Sequence, residues 1–154
     1  VTKGMGLDAR IGDKFLNSGI GYGGSCFPKD TKALSWLASF NDNEIKTIKA
    51  AIEVNENQKF KLIKKARKYY EDFNGLTVAV LGLTFKPGTD DLREAPSLVN
   101  IPIMLDDGAK VKAWDPVGVE NYKKHFPNEI EYCDTIEKTL GMQIYALFLR
   151  NGRK

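Results

Sequence analysis

Cysteine and histidine are scarce: the 154 residues hold two cysteines, Cys26 and Cys133, and one histidine, His125. The thiols are far apart, with no CxxC pair and no histidine-rich neighbourhood. Neither a disulfide framework nor a metal site is therefore indicated, and both thiols are expected to be free. Long apolar runs are absent too. No stretch of eighteen apolar residues offers a membrane span, and the opening VTKGMGLDAR lacks a signal-peptide core. The expectation is a cytoplasmic protein without a membrane partner. An excess of one charge is also missing: the net charge is +3, and lysines alternate with acids except in KFKLIKKARKYY. At helical spacing that run reads as the solvated side of an amphipathic helix, so no nucleic-acid partner is expected.

What is present is an apolar fraction of 42%, enough for one ordinary domain or two small units that share a core. The first thirty residues are glycine-rich and irregular. From Lys29 to Phe40, Ala33, Leu34, Trp36, Leu37 and Phe40 recur at helical intervals and predict a short helix. Residues 41–75 begin with Asn/Asp cap candidates, end in Asn-Gly and contain no interior Gly or Pro, which predicts one long helix. Some thirty residues of helix reach about 45 Å. Ile45, Ile48, Ile52, Asn55, Lys59, Leu62, Ala66, Tyr69 and Phe73 form a stripe with two polar interruptions, and such a helix needs a partner surface. After Gly75, LTVAVLGLTF predicts a strand buried on both faces, LVNIPIML a helix, AKVKAWDP a second strand and IYALFL a later one. Strand, helix, strand in this order implies a parallel sheet with right-handed crossovers. The fold class is α/β, with a Rossmann-like C-terminal part, although GLTFKPG is not the GxGxxG dinucleotide fingerprint.

One ten-residue stretch, GYGGSCFPKD at 21–30, concentrates chemistry. Pro28 suits the first turn of a helix, which places Cys26 at or just before a helix N-terminus. There the dipole and unpaired N–H groups favour a thiolate, and Lys29 adds positive charge. Gly23 and Gly24 remove side chains beside the sulfur, so that a substrate or a second backbone can approach. Asp30 lies one helical turn beyond Cys26, where a carboxylate can orient water or exchange a proton. Most single cysteines are small buried hydrophobes. Here the glycines, the helix start and the charged pair converge on one sulfur and favour a nucleophile, whereas Cys133 in EYCDT reads as core. His125, the one candidate base for a thiol hydrolase, reads as a surface-loop residue.

GYGGSCFPKD together with VLGLTFKPGTDDLREAPS and AWDP closely resembles the UDP-glucose 6-dehydrogenase family, over most of the chain from GLDARIGDKFL to AWDP. The resemblance implies oxidation of a sugar C6 alcohol to the acid, with two NAD molecules reduced in succession and a cysteine holding a thiohemiacetal and then a thioester. It makes Cys26 the nucleophile and Asp30 the residue assisting water and proton transfer. Arg10 matches an arginine that reaches the neighbouring subunit's site. Phe15, Leu16, Asn17, Ser18 and Gly19 match the loop lining the substrate pocket, and Gly23 a glycine contacting the sugar. Phe85 and Lys86 match a pair on the UDP-sugar, while Lys29 and Arg93 match residues on the NAD side. The implied partners are UDP-glucose and a second copy of the chain, a homodimer formed through the long helix.

The resemblance also sets expectations about extent. The family's N-terminal NAD-binding half, with its catalytic lysine and general-base glutamate, has no counterpart, so the chain is expected to be a fragment, inactive alone. Residues 1–74 would be a central helical dimerisation segment carrying the cysteine loop, and 75–154 an incomplete UDP-sugar-binding domain with an exposed sheet edge. Three other readings stand beside this one: a non-catalytic nucleotide-sugar-binding or dimerisation module, a related enzyme acting on GDP-mannose or an N-acetylated UDP-sugar, and a free-standing thiol hydrolase.

Overall fold

The structure is a computed structural model that describes residues 1–141 and the backbone of residues 145–148. A short helix α1 (Thr2–Met5) and an irregular segment precede α2 (Cys26–Phe40), α3 (Lys46–Gln58) and α4 (Lys61–Ala66). There follow β1 (Thr77–Leu81), α5 (Ser97–Asp106), β2 (Lys110–Trp114), α6 (Val119–Tyr122), β3 (Ile130–Tyr132), α7 (Ile136–Leu140) and β4 (Tyr145–Phe148). The four strands form one sheet in the order β3-β2-β1-β4, and every pairing is parallel. β1 is an interior strand, with Val78 opposite Val111 on one side and Tyr145 on the other. Covered on both faces, it is an almost unbroken β-branched and aliphatic run, as predicted. The expected α/β class with a parallel sheet is what forms.

The core is built on that strand. Val78, Val80 and Leu83 pack with Ile101 and Met104 of α5 and Tyr122 of α6, and Ile63 and Phe73 join the same cluster. The helix that begins at Cys26 starts three residues earlier than the Lys29–Phe40 periodicity suggested, with Ser25 as its N-cap and Pro28 in its first turn. Strand β1 is shorter than expected and ends at Leu81, because Gly82 takes a φ of 97° and turns the chain out of the ladder. Strand β2 matches the predicted AKVKAWDP segment. The predicted IYALFL strand appears as β4, its residues 144 and 149 lying outside the described residues. Helices α6 and α7 and strand β3 were not anticipated; at three to five residues each they are too short to show a period.

The single long helix over 41–75 is corrected. Residues 41–45 are a loop, α3 stops at Gln58, α4 runs six residues, and helix ends before Tyr69. The cause of the break is a side chain inserted into the helical ladder: the Lys59 carbonyl accepts Asn100 Nδ2 of α5 at 2.9 Å. At the far end Tyr69 and Lys68 bond back three residues rather than four, to Ala66 and Lys65. Asp72 Oδ1 then captures the Asn74 N–H at 2.9 Å, and Phe73 turns into the core at 3% exposure. Tyr69, expected on the apolar stripe, is 83% exposed.

The exits of β1 and β2 are bracketed by Asp115, the aspartate of AWDP. Its carboxylate is buried and accepts the N–H groups of Leu83 at 2.8 Å, Val117 at 2.9 Å and Gly118 at 2.7 Å. Removing a shared acceptor leaves buried donors unsatisfied, at roughly 1–3 kcal/mol for each one that water cannot reach. Asp115→Ala is therefore expected to lose about 3 kcal/mol of unfolding free energy in urea titration. A loss below about 1 kcal/mol would show that the bracket does not hold the two exits together.

Candidate functional site

Helix α3 holds the segment that leads to Cys26 by its polar positions. Asn55 Oδ1 accepts the Tyr22 N–H at 2.7 Å and Asn55 Nδ2 donates to the Tyr22 carbonyl at 3.1 Å, so one amide satisfies both backbone groups of that residue. One turn on, Gln58 Nε2 donates to the Gly19 carbonyl at 2.6 Å. The next two residues lie against the loop after β1. The Gly24 N–H donates to the Arg93 carbonyl at 2.7 Å, and a Cβ on Gly23 would stand 2.7 Å from the Glu94 carbonyl oxygen and 2.9 Å from Phe85 Cβ. Gly24 has a φ of 79°, and a Cβ there would meet the Phe85 ring at 2.8 Å. Gly23 is thus required by the close approach of a second backbone, one of the two options the sequence left open, and Gly24 by its left-handed φ and by the Phe85 ring.

Cys26 is the first residue of the fifteen-residue α2, and its thiol is exposed, with Ser25 Oγ 3.9 Å away. The N-terminal N–H groups of a helix this long are a ready site for negative charge. Arg93 lies within electrostatic range of the sulfur. Its guanidinium is held in a fork by Asp91, with Nε to Oδ1 at 3.0 Å and a terminal nitrogen to Oδ2 at 2.7 Å. That pairing raises the Arg93 pKa, and hydrogen bonding from Arg93 holds the Asp91 carboxyl below its ordinary value. Phe85 N–H donates to the Asp91 carbonyl at 3.2 Å, and the Lys86 ammonium stands over the Phe85 ring, 5.3 Å from its centre.

The structure therefore brings Gly23, Cys26, Phe85, Lys86 and Arg93 to one place, where the loop after β1 meets the glycine turn. Lys29 and Asp30 follow on α2, exposed, with Nζ and Oδ1 3.6 Å apart. Of the 15–19 stretch, Gly19 is tied to α3, while Phe15 is 88% exposed; Leu16 is half-buried, and Asn17 and Ser18 are exposed. Arg10 projects from the N-terminal segment with its side chain paired to Asp8 at 2.7 Å. Cys133 is buried, as its sequence context indicated. Missing from the sequence reading as site residues were Asn55, Lys59, Asp91 and Glu94. Asn55 and Lys59 did leave a signal: they are the two polar interruptions of the apolar stripe.

The location is one that open parallel sheets favour. β2 and β4 flank β1 on opposite sides, so the strand order reverses beside it, and the crevice outside the carboxyl ends of the strands at such a point is where ligands bind. Fold and site together define a class: a Rossmann-like sheet whose β1 loop closes on a helix-borne thiol supplied by a preceding helical segment. The family models agree in both parts. The central domain of the UDP-glucose/GDP-mannose dehydrogenase family matches residues 1–57, and the UDP binding domain of the same family matches 79–148. The chain belongs to the UDP-glucose/GDP-mannose dehydrogenase family.

It is 46% identical over 140 residues to UDP-glucose 6-dehydrogenase YwqF of Bacillus subtilis, covering 91% of this chain and 32% of the relative. It is 44% identical over 147 residues to UDP-glucose 6-dehydrogenase AglM of Haloferax volcanii, covering 96% and 34%. Among solved structures, a UDP-glucose dehydrogenase from the hyperthermophilic archaeon Pyrobaculum islandicum superposes with a TM-score of 0.86 at 31% identity, covering 97% of this chain and 35% of that one. The chain thus spans about a third of the length of these relatives.

Two predictions follow from the packing. Gly23→Ala should destabilise the chain by about 1–3 kcal/mol, since backbone and not a flexible side chain meets the new methyl. Gly4→Ala, with open space around it, should change stability by less than about 0.5 kcal/mol, and urea titration separates them. The second concerns pH. Hydrogen bonding from Lys59 holds the Glu94 carboxyl below its usual 4.5, so its stabilisation is complete above that value and is lost as pH falls through the lowered one. Glu94→Gln should flatten the fall in stability between neutral and acid pH; an unchanged acid slope would show that the pair contributes nothing to it.

Proposed function

We propose that this chain carries the thiol and half of the nucleotide-sugar site of an NAD-dependent UDP-glucose 6-dehydrogenase. The observation that supports it is the exposed Cys26 thiol at the head of α2, just after the glycines that rest on the loop of Phe85, Lys86 and Arg93 at the sheet's carboxyl edge. Lys86 suits the pyrophosphate of UDP-glucose as a point charge, and Phe85 offers an apolar face beside it. The Cys26 sulfur attacks the C6 aldehyde: a C–S bond forms, the carbonyl electron pair moves onto oxygen, and that oxygen takes a proton to give a thiohemiacetal. Once this has become a thioester, water adds at C6, the C–S bond breaks and the sulfur departs, leaving the carboxylate. Asp30, one turn from Cys26, takes the proton from that water. Arg93 offsets negative charge at the sulfur and at the C6 oxygen.

NAD, when bound, supplies the hydride acceptor for the two oxidations, alcohol to aldehyde and thiohemiacetal to thioester, one molecule for each. Lys29 and the guanidinium of Arg93, both cationic and exposed near Cys26, fit one edge of such an anionic group. In this reading residues 1–74 form the central unit and 75–154 the UDP-sugar unit. The central unit pairs with a second copy: Trp36 and Phe40 of α2 stack with ring centres 5.2 Å apart and are 64% and 72% exposed, an apolar face that a partner would cover. Arg10, free of the glycine turn, would reach the partner's site.

The test is alkylation of Cys26 followed by peptide mass spectrometry, with buried Cys133 as internal control. UDP-glucose is expected to slow the reaction at least tenfold, and GDP-mannose not at all. Protection by GDP-mannose instead would assign a related nucleotide sugar, and no protection by either would remove the nucleotide site. With the NAD-binding half of a relative supplied in trans, NADH should form and should vanish in Cys26→Ala. NADH formation that survives that substitution would exclude Cys26 as the nucleophile.

A further inference from the structure

The chemistry above leaves unused the most elaborately paired carboxylate near the thiol, that of Glu94. This residue follows Arg93 and has a φ of 56°, a left-handed backbone that non-glycine residues adopt where their surroundings hold them. Its Oε2 accepts Lys59 Nζ at 2.6 Å and its Oε1 accepts Lys32 Nζ at 3.4 Å. Lys59 terminates α3, with a side chain only 4% exposed, and also binds Glu56 at 3.0 Å. Lys32 lies on α2, six residues after Cys26. One carboxylate therefore touches the helix that carries the thiol, the end of the helix that holds Tyr22, and the loop that carries Arg93.

The backbone of the same turn is the wall on which the thiol loop rests. The Arg93 carbonyl accepts the Gly24 N–H, and the Glu94 carbonyl oxygen is the atom that a Cβ on Gly23 would meet first. A left-handed residue released from its side-chain anchor relaxes toward the commoner right-handed or extended regions, which would swing both carbonyls away from the glycines. The sheet does not depend on this turn, because β1 is held through its ladders and through Asp115.

We propose that Glu94, clamped by Lys59 and Lys32, is a positioning residue for Cys26: it fixes the left-handed turn that presents Arg93 to the thiol loop. The proposal rests on Cys26 being the nucleophile. Its mechanical part is readable without activity, through amide hydrogen exchange at Gly24. In Glu94→Gln, and in Lys59→Met if that variant folds, Gly24 protection should fall at least tenfold while β1 amides keep theirs within threefold. Glu94→Asp and Lys59→Arg, which keep the charge pair, should recover most of it. In the enzyme completed in trans, Glu94→Gln should lower kcat at least tenfold and shift KM for UDP-glucose less than threefold.

Unchanged Gly24 protection in Glu94→Gln overturns the clamp, whatever Cys26 does. A loss shared equally by the β1 amides also overturns it, since that is loss of global stability and not of positioning. Loss of Gly24 protection together with NADH formation that survives Cys26→Ala removes the nucleophile reading alone and upholds the clamp.

Discussion

A lysine ammonium withdrawn from water is tolerated only where carboxylates and geometry compensate for lost hydration. Lys59 meets that condition with Glu94 at 2.6 Å and Glu56 at 3.0 Å, and the end of α3, the loop after β1 and the helix that carries the thiol come together at that meeting. Burial alone would depress its pKa; the two carboxylates more than reverse that, and the pKa is raised. The carbonyl of the same residue accepts Asn100 Nδ2 at 2.9 Å, where α3 ends. Ile63 of the following α4 lies in the core of the sheet. Because Glu94 is drawn to the helix, the loop after β1 lies against Gly23 and Gly24. The end of α3 and the placement of the thiol loop thus meet at one residue.

The second constraint is the exit of β1. A buried strand must release its chain without leaving polar groups unpaired, and Asp115, just past the neighbouring strand, accepts the Leu83 N–H from the β1 exit and those of Val117 and Gly118 from its own. Gly118 completes the bracket, since a side chain there would collide with the Thr84 methyl. Thr84 in turn donates its hydroxyl to the Lys86 carbonyl at 2.9 Å. Phe85 and Lys86 are therefore placed by hydrogen bonds that start in the core, and a ligand arriving at this edge would find them already in position. Preorganisation of this kind lowers the cost of ordering on binding.

Much of this was legible in the sequence, and the limits have physical reasons. The β-branched run before Gly82 announced a strand covered on both faces, and Pro28 announced the helix start that carries Cys26. The glycines beside it signalled a close approach, but whether by ligand or by backbone depended on which residue lay opposite, and Glu94, opposite Gly23, is seventy-one positions away. The long helix was misjudged because the absence of Gly and Pro says nothing about a competing acceptor: Asn100, forty-one residues beyond Lys59, supplies the interruption. Strand β3 and helices α6 and α7 are shorter than the window any periodicity needs.

Local chemistry is what the sequence by itself determined: an α/β chain, a thiol at a helix N-terminus, and the family to which the cysteine block and the TFKPGTDD segment belong. These are properties of neighbouring residues, and short-range sterics, dipoles and hydrophobic period are enough to express them. Tertiary structure alone decided which charges meet. Asn55 and Lys59 looked like defects in an apolar stripe until Tyr22 and Glu94 were brought to them, and Asp91 was an unremarked acid until it forked Arg93 beside Cys26. Long-range pairing depends on the sum of every turn between two residues, so a short local error such as an uninterrupted helix erases it, and only the folded chain reveals it.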